Sequence, residues 1–158
     1  MEKKKLIHIE NTKFIFPTNF SGDPARDNFG SDARKATIII PTEEQAMELR
    51  DMGVNVKQTK PRPGEEDDYE PVYYAAIRVN YNTNWPPKIY LVSGDAMPVL
   101  LDEESVGAID NCYVLNVNAV LNPSFNPRVN KTSLYIRTMY VEQEVEADPY
   151  AHRYMRGK

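Results

Sequence analysis

Apolar residues in this chain recur at every second position in several stretches, and almost nowhere at helical spacing. From Val72 to Tyr81, the residues Tyr73, Ala75, Ile77, Val79 and Tyr81 fall on one side and Tyr74, Ala76, Arg78 and Asn80 on the other. That is the two-residue period of a half-buried strand. Lys35–Ile40 is a β-branched run, Lys88–Ser93 and Thr132–Val141 read as strands, and Tyr113–Leu121 alternates with Tyr113, Leu115, Val117, Ala119 and Leu121 facing inward. Shorter β-like stretches lie at Leu6–Ile9, Lys13–Phe16 and Val54–Thr59. One helix is expected over residues 43–52. Thr42 and Gln45 have capping-box spacing, Glu43 and Glu44 suit the positive end of the helix dipole, and Gly53 follows as a C-terminal stop. Asp102 begins a second helical turn over 102–109.

Between these elements lie two polar, proline-containing segments, residues 60–71 and Asn122–Lys131, expected to be loops because proline removes a ladder donor. Strands are not regularly separated by long helices, which argues against a parallel βαβ sheet. The expected fold is mainly β: an OB-like β-barrel with elaborated loops and one or two short helices, with a β-sandwich as the alternative. At 158 residues the chain has the length of one domain. That domain is expected over residues 1–145, with a polar C-terminal tail at 146–158.

Several chemistries lack their residues. No apolar run approaches the ~20 residues of a membrane helix, and the basic N-terminus meets Glu10 too early for a signal peptide. Cys112 is the sole cysteine, which excludes an internal disulfide and a thiolate zinc cluster; it is expected to be a small buried strand residue. His8 and His152 are the only candidate bases for a nucleophile. The seven glycines form neither GxGxxG nor a P-loop. Glu65–Asp68 are consecutive and lack the spaced ligands of a calcium loop. No catalytic residue, metal or cofactor is assigned, and the chain is expected not to be an enzyme.

Charge and aromatic placement point elsewhere. The net charge is −4, yet residues 65–70, 102–104 and 142–148 hold five, three and four acids with no Lys or Arg among them. Elsewhere, 11 acidic residues face all 19 basic ones. A locally basic face on an acidic protein suffices to hold phosphates, because the relevant field acts within about a Debye length, ~8–10 Å. The chain also has ten Tyr, five Phe and one Trp, several of them beside cations on the faces opposite the apolar alternation. Tyr74 and Arg78 share one side of a strand, Tyr90 has the parity of Lys88, and Tyr135 and Arg137 alternate against Leu134 and Ile136. Trp85 sits in the turn before Lys88; Lys57, Lys60 and Arg62 lead into the acidic loop, and Arg34 and Lys35 into a strand. Cations along a groove with flat rings for base stacking are what an unpaired polynucleotide requires. These twelve residues are the candidate nucleic-acid-binding set, each also readable singly as core packing or solvated surface.

Short stretches carry a family resemblance: Asn19-Phe20-Ser21-Gly22 followed by Arg34; Met52-Gly53-Val54-Asn55-Val56-Lys57; Lys60-Pro61-Arg62; Pro86-Pro87-Lys88-Ile89; Leu101 to Gly107; and Leu134 to Val141. In order and spacing over residues 13–142 the chain resembles the small phage-encoded single-stranded-DNA-binding proteins, an OB-fold group broadly of the T7 type. The resemblance implies sequence-independent coating of single strands in replication or recombination, without cofactor or catalysis, in the host cytoplasm during infection. Replication or recombination proteins, and self-association along DNA, are the further partners it suggests. The family's acidic, aromatic-closed tail is matched only in part, since residues 150–158 end basic. A structural or assembly β-domain of a virion is the competing reading, and a nuclease a third.

Overall fold

The computed structural model describes residues 6–26, 30–60, 63–64 and 70–144. Eight strands form one sheet: β1 (Ile7–Thr12), β2 (Arg34–Ile40), β3 (Lys57–Gln58), β4 (Tyr73–Val79), β5 (Lys88–Ser93), β6 (Val99–Leu101), β7 (Val114–Asn126) and β8 (Lys131–Gln143). Helix α1 (Glu43–Asp51) and 3-10 segments at Pro24–Arg26 and Val106–Asn111 complete it. No described helix is long and apolar enough to cross a membrane.

The strand order is β1-β7-β8-β4-β2, with β3 beside β4 and with β5 joining β8 to β6. β8 organises the sheet. One of its edges pairs along its length with β7; its other edge takes β4 in parallel at its first half and β5 in parallel at its second. The sheet curls but does not close. Between β1 and β2 the gap is crossed by the chain leaving β1, through isolated bridges Phe14–Ile38 and Asn19–Lys35 and backbone hydrogen bonds such as Ile15 N–H to Thr37 O, 2.9 Å. The fold is the expected mainly-β, OB-like architecture rather than a sandwich.

The inner face collects Ile9, Ile38, Ile77, Ile89, Leu121, Leu134 and Met139, all fully buried, each stabilising the fold by roughly 1.5–3 kcal/mol. Helix α1 adds Ala46 and Leu49. Its cap is half a capping box: Thr42 Oγ1 accepts from the Gln45 N–H at 3.1 Å, but the Gln45 amide reaches out to donate to His8 O at 2.8 Å. Gly53, at φ +91°, ends the helix, and its carbonyl accepts from the Thr132 N–H at 3.0 Å, docking the helix on the start of β8.

Two bulges between β7 and β8 alter the simple alternation. Between Val114 and Asn116 the register to β8 slips by one residue, so Leu115 leaves the ladder. Leu115 and Tyr113 are therefore exposed, not inward as expected, and Val114 packs on the core instead. In β8, Val120 pairs with Thr138 and Leu121 with Ile136, leaving Arg137 as the extra residue. Beyond it the parity reverses, as a bulge requires. The segment Asn122–Lys131 is not wholly loop: β7 runs to Asn126, and Pro123 is tolerated where pairing with β1 has stopped at Leu121. Val54–Thr59 shortens to the two-residue β3 plus a bridge at Val54. Cys112 is half-buried at the end of the second 3-10 segment rather than in a strand, its thiol donating to Ala108 O. The expected tail at 146–158 lies outside the described residues.

Candidate nucleic-acid interface

The outer side of β8 and its neighbours brings together most of the predicted set. Lys35 on β2 pairs with Arg78 on β4, Arg78 pairs with Tyr135 on β8, and Tyr135 pairs with Asn122 on β7. Residues paired in register point to the same side of a sheet. Two cations and a ring thus form a row across three strands, continued by an amide on a fourth. Alongside, Lys57 pairs with Tyr74, and the edge of the Tyr74 ring receives the exposed ring of Phe16, with centroids 5.2 Å apart at 85°. Phe16 is held there at a left-handed φ of 66°, an uncommon conformation for a bulky residue.

Beside this row lies a groove of about 260 Å³ whose lining includes Lys57, Tyr74, Arg78, Lys131, Thr37 and Asn55. Among the described residues, three cations and no acid line it. Among the described residues, a hollow of about 290 Å³ beside Pro41, Pro71 and Tyr73 has one acid, Glu43, and no cation, so it suits phosphates poorly despite its size.

Further along β8, Lys88 pairs with Thr138, and Tyr90 pairs with Tyr140. The two tyrosine rings stack at 4.7 Å with their planes 11° apart. Arg137, at the bulge, is exposed between the two groups. Trp85, on the turn joining β4 to β5, is 89% exposed. Lys60 is exposed just past β3, and Arg62 lies outside the described residues.

Arg34 stands apart from this face. Its Nη1 donates to Phe20 O at 2.7 Å, its guanidinium lies 5.5 Å above the Tyr81 ring, and its Nη2 is 3.9 Å from Glu103. Its contacts hold a loop. The same loop is gathered on Asp110, whose side chain is 2% exposed. Asp110 accepts from Thr18 Oγ1 at 2.7 Å, Phe20 N–H at 2.7 Å and Ser21 N–H at 3.0 Å. Nearby, Gly107 leaves room for Ser21, whose Cβ would lie 2.7 Å from any Cβ added there.

Sequence reading missed Phe16, Lys131 and Tyr140. Reading the alternation of β8 straight through puts Tyr140 inside with Leu134 and Ile136; only the bulge turns it out. Lys131 closes the proline-containing segment Asn122–Lys131 that the sequence marks as a loop. Nothing in the sequence marks Phe16, because its position follows from a backbone reversal that its residue type disfavours. Among the described residues no group of three or more His, Cys, Asp or Glu could hold a metal.

The model of the phage ssDNA-binding domain family matches residues 1–156. No curated protein matches the sequence. Among solved structures, the single-stranded DNA-binding protein from bacteriophage Enc34 in complex with ssDNA is 12% identical, with 89% of this chain and 88% of that one covered and a TM-score of 0.52. A C-terminal truncation of the Enc34 protein is 11% identical over 89% and 86%, with a TM-score of 0.49. The bacteriophage T7 protein gp2.5, also a single-stranded DNA binding protein, is 8% identical over 99% and 96%, with a TM-score of 0.43. At such identities the likeness is one of fold, and it rests on the first of the three.

Proposed function

The chain belongs to the phage ssDNA-binding domain family, a single-stranded-DNA-binding protein of phage replication, and from that premise we propose that its DNA follows the outer side of β8. Phosphates lie against Lys57, Lys131 and Arg78, then against Arg137 and Lys88. Bases rest on Tyr74 with Phe16, on Tyr135, and on the Tyr90–Tyr140 pair. The observation that carries this reading is the in-register row Lys35–Arg78–Tyr135 beside a groove lined by Lys57, Arg78 and Lys131. From Lys131 to Tyr140 the strand extends about 30 Å at ~3.3 Å per residue. That length suits the ~4–16 nucleotides an OB fold covers.

Binding of this kind reads charge and ring faces, not base edges, so it is sequence-independent. The role we propose is non-catalytic coating, in replication or recombination, in the host cytoplasm. Residues 1–145 form the binding domain and residues 146–158 a tail. The test is fluorescence anisotropy with labelled oligo-dT and a mixed-sequence oligonucleotide over a range of salt. Similar affinities that fall steeply and log-linearly with salt are expected. Binding that ignores salt, or strong preference for one sequence, overturns the reading.

A further inference from the structure

Two exposed apolar patches lie at opposite ends of β8 and carry opposite charge. At its start is the tip of the β7–β8 hairpin, where Phe125 and Val129 are exposed beside Arg128. At the other end, β6 hangs on the sheet through β5: Leu101 pairs with Ile89, which pairs with Met139. Here Val99 and Leu100 are exposed, Met97 is 83% exposed, and Asp102-Glu103-Glu104 follow. Among the described residues β6 pairs with β5 only, and no described strand covers its outer edge. Long open edges are normally blunted by charge or a cover. This one is short and apolar, with its acids to one side.

We propose that these patches are the two halves of one contact, the hairpin tip of one copy seating on the β6 edge of the next. The argument is charge complementarity joined to geometry. Arg128 and the 102–104 acids have opposite sign and each borders exposed apolar side chains. The two patches differ, so one contact cannot pair like with like about a two-fold axis. A head-to-tail contact between unlike surfaces forms a ring if its rotation closes and an open filament if it does not; the open form is the one that suits proteins lined up along a polymer. The patches are some 33 Å apart, ten residues of β8 at ~3.3 Å each. That axis is also the proposed DNA path, so neighbours meet end to end on the strand. The contact can be small and weak, because DNA holds neighbours at high effective concentration.

The experiment compares binding per protein on poly(dT) with binding on an oligo-dT just long enough for one copy, using the full chain. Wild-type protein is expected to bind poly(dT) at least about tenfold more tightly, the scale of one close charge pair with its apolar surround. Arg128→Glu alone, or Glu104→Arg alone, brings the ratio towards one, and the two together restore it. Short-oligonucleotide affinity changes little for Glu104→Arg, which removes an acid far from the groove. Leu100→Ser serves as a second variant should a charge swap fail to fold. A wild-type ratio near one, or single swaps without effect, overturns the head-to-tail contact while leaving the DNA site standing. The contact's readout rests on the DNA site proposed above. If short oligonucleotides are not bound at all, that site fails; short oligonucleotides bound normally with a wild-type ratio near one is the distinct outcome that overturns the contact alone.

Discussion

Arg78 and Tyr135 stand opposite each other across the parallel junction of β4 and β8, where only Ile77–Leu134 and Arg78–Tyr135 are paired. The inner pair is fully buried; in the outer pair Arg78 lines the groove and Tyr135 stands beside it in register. The same two rungs therefore join the core to the candidate interface. Arg78→Ala should leave the melting temperature within a degree or two, since its side chain is exposed. It should weaken oligo-dT binding and reduce the log-log salt slope by about one, the contribution of a single phosphate contact. Arg78→Lys should keep the slope. Anisotropy titrations at four salt concentrations decide this, and an unchanged slope in the alanine variant removes Arg78 from the interface.

Phe16 and Tyr74 form one aromatic step at the groove's edge. Stacking a base on a ring contributes roughly 1–3 kcal/mol, so Tyr74→Ala should lower affinity by about tenfold or more. Phe16→Ala should act mostly through Tyr74, leaving its ring free to turn. The double variant is then expected to fall well short of the sum of the two, which a double-mutant cycle measures. Strict additivity would mean the rings meet DNA independently or not at all.

Much of this face was legible before any coordinates. The alternation in Val72–Tyr81 puts Tyr74 and Arg78 on the side away from the core, and the structure keeps them there. Thr42, Gln45 and Gly53 mark the helix because capping is local chemistry. Pairing is not local. That Arg78 meets Tyr135 depends on a parallel junction between segments over fifty residues apart in sequence, and no period in either segment specifies its partner. Leu115 turns out rather than in for a local reason: a bulge adds a residue, and a period-two reading carried past it is inverted; the bulge at Arg137 likewise sets the side on which Tyr140 falls. Arg34 has the composition of a phosphate ligand but is drawn to Phe20 O and the Tyr81 ring, contacts that exist only after folding.

Trp85 is the chain's sole tryptophan, which makes its environment directly readable. At 89% exposure its emission should be that of a solvated indole. Saturating oligo-dT should quench it and shift it to shorter wavelength if the β4–β5 turn folds over the strand. Trp85→Phe should retain most of the affinity and Trp85→Ala should lose about tenfold, within the range for one stacked base, with neither changing the thermal melt. An emission spectrum indifferent to saturating DNA places Trp85 outside the interface.

Asp110 is the structural counterpart of those surface rings. Its carboxylate takes three hydrogen bonds from residues 18–21 and has Arg26 at 3.7 Å. Asp110→Ala leaves two backbone N–H groups and a hydroxyl without their acceptor, at about 1–3 kcal/mol each before relaxation. A total loss of about 3 kcal/mol or more is expected in urea unfolding. Asp110→Asn, which keeps one acceptor oxygen, should lose less. Oligo-dT affinity measured well below the melting temperature should change little in either, because Asp110 lies apart from the groove. Equal stability of wild type and alanine variant would show that loop 18–26 is held by other means.

Tyr81 makes the fold sensitive to alkali. Its ring packs on the core, and its buried Oη has no hydrogen-bond partner among the described residues. Burial raises the phenol's pKa above the ordinary value; the Arg34 guanidinium opposes this, and Asp102 and Glu103 reinforce it. The folded state thus favours the neutral phenol. Its contribution is complete below the unfolded value of about 10 and is lost as pH climbs through the higher folded value. Cys112, raised chiefly by burial and then by Asp110, loses stability in the same direction from about pH 9 upward, so the informative quantity is a difference between variants. Tyr81→Phe should equal or slightly exceed wild-type stability at pH 7, having no unsatisfied hydroxyl to bury. Its advantage should widen between pH 9 and 11. Thermal melts of both proteins across that range check this, and parallel curves would show that Tyr81 does not ionise at a cost to the fold.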